Sequence, residues 1–141
     1  MQLIPYIIFN GNCETALKFY EKALGGQIGQ ISRYSDAPPE SSMGMDGQKI
    51  MHAHLNVDGN ILFMASDGPS DANDSGMVSL SLNFTDSGSI QAAFAALSDG
   101  GTVTMPLQDT FWGATFGMLK DQYGVKWMVN YDKPGQKPGQ S

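Results

Sequence analysis

Laid over itself at an offset of 75 residues, this chain meets its own pattern: Phe9 falls on Phe84, Phe19 on Phe94, Gly25-Gly26 on Gly100-Gly101 and Ile28 on Val103. Each coincidence has a physical reading: in turn a strand end, a helix core position, a helix stop and the first apolar residue of the next strand. The order of elements around these positions repeats as well, so the chain reads as two copies of one strand-helix-strand-strand-strand unit. Such a unit gives a mixed sheet with its helix on one face and leaves the other face free to curl around a cavity.

In the first copy, the apolar run Pro5 to Phe9 ends at Asn10-Gly11-Asn12, and Asn12 stands as N-cap to a helix. Ala16, Leu17, Phe19, Tyr20, Ala23 and Leu24 recur at helical spacing before the stop at Gly25-Gly26. A strand from Gln27 to Tyr34 leads into a long loop, Ser35 to Lys49, of a length that in a compact domain often carries function. Asp58-Gly59 between the runs Ile50 to Val57 and Asn60 to Ser66 predicts a tight hairpin.

In the second copy, Val78 to Phe84 is a strand, and Asp86 or Ser87 caps a helix whose apolar face is Ile90, Ala93, Phe94 and Leu97. Thr102 to Met105 is strand-like before Pro106. Thr110 to Tyr131 forms a final hairpin around Asp121-Gln122-Tyr123-Gly124. Period-two alternation puts Trp112, Phe116 and Met118 on one face of its first strand and Lys126, Met128 and Asn130 on one face of its second. A face that offers Lys and Asn among apolar groups needs water or a ligand to satisfy them. The organisation expected is one domain over residues 1–131: module one 1–67, a connector 68–76 and module two 77–131. Residues 132–141 hold no apolar anchor and read as a disordered tail.

Eight Lys and Arg against fourteen Asp and Glu give a net charge of −6 without clusters, which excludes nucleic acid and anionic membrane surfaces as expected partners. The longest apolar runs are strand-sized, so no bilayer span is expected. The chain enters a strand-like run directly after Met1-Gln2-Leu3, so a signal peptide is not expected. The one cysteine, Cys13, forms no internal disulfide and fits a reducing, cytoplasmic setting. Its place at a helix start favours a lowered pKa, yet no partner base is near it in sequence, and a structural role is expected.

The segments TFWGATFGMLKDQYGVKWMVN, HAHLNVDGNILFMASD and YIIFNGNCETALKFYEKALGG resemble the PhnB-like branch of the vicinal oxygen chelate superfamily, which includes glyoxalase I, extradiol dioxygenases and the bleomycin- and fosfomycin-resistance proteins. The resemblance spans all but the tail, and the W-G-x-x-F-G-M-x-x-D-x-x-G-V-x-W run from Trp112 to Trp127 carries most of it. It implies an α+β fold: two βαβββ modules forming a curved mixed sheet, helices on its outer face, usually in a homodimer that holds a small molecule in the cup. Some members carry a demethylubiquinone methyltransferase label, but this chain has no glycine-rich strand-to-helix turn of the kind that binds S-adenosylmethionine.

Superfamily enzymes hold a metal with His, Gln or Glu on inner strands. In this chain those positions fall on Pro5, on Phe63 or Met64, on Met77 and on Met128. None suits a hard divalent ion, so no metal and no cofactor is expected. His52 and His54 lie two apart on one strand and share a face, a spacing metal sites do use. The expected ligand-contacting set is His52, His54, Trp112, Arg33, Asp67 and Met128, with His52 the best candidate for acid/base work. Four of them have a structural alternative: a hydrogen-bonded His52, a solvated Arg33, an Asp67 capping a turn, a Trp112 in the core. Trp127, assigned to the helix side, is expected to be core. Nine methionines would give an adaptable apolar lining. Two functions stay open at this point: a metal-independent small-molecule-binding protein, or a lyase, isomerase or dioxygenase using His52 and His54 with or without a divalent metal.

Overall fold

The computed structural model describes residues 1–42, 44–68 and 76–134. The chain divides into two compact units, Met1–Asp71 and Ala72–Ser141. Of the expected connector 68–76, residues 69–75 lie outside the described residues.

Unit one contains β1 (Tyr6–Phe9), α1 (Cys13–Leu24), β2 (Gln27–Arg33), β3 (Ile50–Val57) and β4 (Asn60–Asp67), with two short 3-10 turns at Tyr34–Asp36 and Pro39–Ser41 inside the long loop. Its sheet has the order β1-β4-β3-β2, with β1 parallel to β4 and the other pairs antiparallel. Unit two repeats this with β5 (Leu80–Phe84), α2 (Ser87–Ser98), β6 (Thr102–Asp109), β7 (Ala114–Lys120) and β8 (Lys126–Asp132), in the order β5-β8-β7-β6. The expected α+β class and the repeated βαβββ units are both present, as two mixed four-stranded sheets, one per unit.

Sequence alternation decides which face meets each helix. In unit one Leu17 and Tyr20 of α1 are fully buried with Ala53, Leu55, Phe63 and Ala65, and the rings of Tyr20 and Phe63 meet edge to face, centroids 5.4 Å apart. In unit two Ile90, Ala93 and Leu97 of α2 are buried, as are Leu119, Trp127 and Val129. Gly117 lies under the same helix: a Cβ there would come within 2.8 Å of the Phe94 ring, so only glycine permits that approach. The intervening residues therefore form a helix-free face on each sheet. The β3–β4 turn is as expected, with φ positive at both Asp58 (53°) and Gly59 (81°), the signature of a type I′ hairpin.

Three boundaries differ from the sequence reading. β6 runs through Pro106 instead of stopping before it, because β6 is an edge strand whose register with β7 shifts between Met105 and Gln108, and a missing N–H costs nothing there. Trp112 precedes β7 in a turn in which the Gly113 N–H donates to the Thr110 carbonyl. The chain is also ordered past Tyr131: Asp132 belongs to β8, the Lys133 N–H donates to the Gly113 carbonyl, and Lys133 pairs with Asp109 at 2.9 Å. The rest of the expected tail, from 135 on, lies outside the described residues.

One buried carboxylate ties each unit together. Asp67, 1% exposed at the end of β4, accepts the Cys13 N–H on one oxygen (2.8 Å) and the Ile50 N–H on the other (2.9 Å). It thereby caps α1 from across the sheet; Asn12 makes no side-chain cap bond. Asp121, 3% exposed after β7, accepts the N–H of Tyr123 and of Val125 and, on its second oxygen, the Trp127 indole N–H at 2.8 Å. Removing such an acceptor strands buried donors at about 1 to 3 kcal/mol each. Asp67→Ala is therefore expected to lower the unfolding free energy by roughly 2 to 6 kcal/mol, read by urea denaturation, and Asp67→Asn by less because one acceptor oxygen remains. A loss of well under about 1 kcal/mol in Asp67→Ala would mean that the two donors find other partners.

Candidate functional site

The helix-free face of unit one is built by β1, β4 and β3. In register across it lie Tyr6, Met64 and His54, with His52 one step further along β3. The Tyr6 hydroxyl sits 3.3 Å from His52 Nδ1, and their rings are 5.8 Å apart. His54 leans the other way. It pairs with Gly29 on β2, where an added Cβ would lie 2.7 Å from His54 Nε2, so the imidazole occupies the space that glycine leaves open. The two histidines share a face, as expected, but turn to opposite sides of β3: His52 toward β1, half-buried, and His54 toward β2, 7% exposed.

Two further members of the expected set, Arg33 and Asp67, are bonded within the fold. Arg33 makes a two-pronged bond to Glu14 (3.1 and 2.9 Å) and donates to the Gln48 carbonyl at 2.7 Å. That bond to Arg33 holds the Glu14 carboxyl below the usual carboxylate range and the guanidinium pKa above its own. Its work is to clamp the long loop against α1, where the Lys49 ammonium adds a bond to the Gly11 carbonyl. Asp67 has both carboxylate oxygens filled by backbone N–H groups, and its carbonyl accepts the Tyr34 hydroxyl at 2.6 Å. Burial, with the Asp67 charge adding to it, raises the Tyr34 phenol pKa.

The helix-free face of unit two carries the cross-strand pairs Phe116–Asn130 and Met118–Met128. Trp112 joins it from its turn, its ring 6.4 Å from that of Phe116 and 4.9 Å from the exposed Phe111. Asn130 is 1% exposed; its Nδ2 donates to Asp132 Oδ1 at 3.3 Å, which turns Oδ1 away. Among the described residues, Asn130 Oδ1 and Trp112 Nε1 are the buried side-chain polar atoms without a hydrogen-bond partner. Trp127, by contrast, is 1% exposed, under α2 and bonded through its indole, as the core assignment requires.

The positions aligned with superfamily metal ligands offer poor donors. Pro5 precedes β1, Phe63 is buried on the helix side, and Met77 is fully exposed before β5. Met64 and Met128 are left as the equivalent residues of the helix-free faces: they pair in parallel with Tyr6 and Ser81, which are 75 residues apart. Among the described residues no three His, Cys, Asp or Glu side chains come together as a metal-binding group.

A mixed sheet carrying one helix, repeated once in the chain, defines the class of protein. Residues 2–129 match the family model of the Glyoxalase/Bleomycin resistance protein/Dioxygenase superfamily, and the chain belongs to it. It is similar to protein YjdN of Escherichia coli K12, with 34% identity over 155 residues covering 99% of this chain and 100% of that protein. Among solved structures it is similar to protein PA1353 of Pseudomonas aeruginosa (41% identity, TM-score 0.81, covering 94% of this chain and 98% of that one) and to a PhnB protein of Bacillus cereus (28%, 0.76, 93% and 99%). These relatives accord with the PhnB-like branch. No helix among the described residues is long and apolar enough to cross a membrane.

The expected site set omitted Tyr6 and Asn130. Tyr6 is placed by the parallel pairing of β1 with β4, which no local pattern announces. Asn130 was legible as a polar residue on an apolar face, though not as one with an unfilled oxygen.

Cys13 is fully buried, and burial, with the charges of Asp67 and Glu14 adding to it, pushes its thiol from 9.0 up to about 12. Desolvation here outweighs the helix start that favoured a lowered value. The native thiol is expected to resist iodoacetamide at pH 8 and to react once urea unfolds the chain. Because the folded pKa lies above the unfolded one, this stabilisation is complete below about pH 9 and is lost as pH rises toward about 12. Cys13→Ala should lessen the alkaline loss of stability; rapid native labelling would contradict the burial.

Proposed function

We propose that this chain binds a small organic molecule on a helix-free sheet face and does so without the superfamily's metal. The observation that carries the reading is the chemistry of the two faces: thioethers at the equivalent positions Met64 and Met128, and a buried, unfilled Asn130 Oδ1 beside Phe116 and Trp112. Apolar, polarisable walls with a few fixed polar groups are how small-molecule sites are built. His52, held by Tyr6, supplies a titratable group on the face of unit one. The enzymatic alternative, with His52 and His54 as joint metal ligands, is disfavoured because His54 would have to leave the space over Gly29 to meet His52.

Native mass spectrometry of freshly purified protein, prepared without chelator or immobilised nickel, tests this reading. The expected spectrum shows an organic adduct that denaturation removes. A stoichiometric zinc, iron or manganese adduct lost in His54→Ala would overturn it.

We further propose that the chain acts as a homodimer in a reducing compartment, in keeping with its free, buried Cys13. Edge strands present exposed apolar residues, Tyr6 and Ile8 on β1 and Val103 and Met105 on β6, of the kind a partner strand or face covers. Sedimentation at micromolar concentration is expected to give twice 15.2 kDa; a clean monomer would refute it.

A further inference from the structure

Native proteins leave few buried polar atoms unpaired, and each one calls for an explanation. In the described residues both such side-chain atoms belong to unit two and flank one ring: Trp112 packs against Phe116, and Phe116 is the cross-strand partner of Asn130. Trp112 Nε1 can only donate, and Asn130 Oδ1 can only accept. The Asn130 amide is oriented by its bond to Asp132, so Oδ1 is not free to exchange places with the nitrogen. Beside Phe116 lie Met118 and Met128, which are half-buried and uncharged. The charged residues of β8 on this face, Lys126 and Asp132, are bonded to the Gly76 carbonyl and to Asn130.

A carboxylate laid on Phe116 would accept from Trp112 and offer nothing to Asn130 Oδ1. An ammonium would do the reverse. A single neutral group that both accepts and donates, such as a carboxamide or a hydroxyl, satisfies both atoms, and an uncharged lining of Trp112, Phe116 and two thioethers packs well on a planar ring.

We propose that Trp112 Nε1 and Asn130 Oδ1 are a donor–acceptor pair that selects neutral aromatic molecules bearing a carboxamide or hydroxyl group. The proposal rests on the small-molecule reading above and adds the ligand class and the two residues that select it. It also accounts for a buried asparagine whose oxygen contributes nothing to the fold: the atom costs stability and is kept for the ligand.

The two tryptophans give the test its internal reference. In 15N-labelled protein the Trp127 indole N–H is held by Asp121, so titration with benzamide is expected to move the Trp112 indole resonance and leave that of Trp127 in place. Benzoate and benzylamine at the same concentrations are expected to leave both. Asn130→Leu should bind benzamide roughly tenfold more weakly while unfolding at an equal or higher urea concentration, an outcome a merely structural asparagine would not give. Trp112→Phe, which keeps a ring and removes the donor, should weaken binding similarly and serves if the first variant does not fold. Benzoate binding as well as benzamide, or unchanged affinity in the folded variants, would overturn the pair. Shifts confined to residues around Tyr6 and His54 would overturn it and leave the broader binding reading standing. No shift anywhere overturns the pair, and the absence of an organic adduct in the native mass spectrum separately overturns the broader reading.

Discussion

A buried carboxylate that accepts backbone N–H groups is costly to form and more costly to lose, and each unit of this protein is assembled around one. Asp67 joins the start of α1 to the start of β3 through its two oxygens, while its carbonyl takes the Tyr34 hydroxyl at the neck of the long loop. Those groups are far apart in sequence, so the side chain fixes how helix, sheet and loop meet. Asp121 does more local work: it closes the β7–β8 turn and reaches forward to the indole of Trp127, the largest fully buried side chain. Against a total stability of about 5 to 15 kcal/mol, several stranded donors are a large fraction. The bonding also orients each carboxylate, because both of its oxygens are held by donors of its own unit.

The fold was readable because its signals are short-range. The repeat, the Asp58-Gly59 turn, the α1 face and the long loop all depend on residues within one element or its neighbour, and the structure places them within a residue or two. Pro106 misled because its effect depends on whether the strand lies at an edge, which is a property of the sheet. The site was less readable for the same reason. Arg33 is a lone arginine until Glu14, nineteen positions earlier, is seen beside it, and Asp67 is a strand-end turn residue until the Cys13 N–H arrives from 54 positions away. Cys13 reversed sign likewise: the helix start was visible, and the burial that outweighs it was not.

Equivalent positions in the two units share a topology and differ in their surroundings. Met64 and Met128 correspond, yet their neighbours differ: Tyr6 and His54 flank the first, Ser81 and Met118 the second. Unit one thus presents a phenol and an imidazole where unit two presents a hydroxyl and a thioether. A metal site would need convergent hard donors. Here the only adjacent imidazoles turn apart, and what turns them is specific: the Tyr6 hydroxyl on one side, and on the other a glycine whose missing side chain makes room for His54. Any other L residue at Gly29 would bring a Cβ within 2.7 Å of His54 Nε2, so the space that the ring occupies is kept open by a glycine on the neighbouring strand. The two ring orientations are thus tied to packing on both sides of β3.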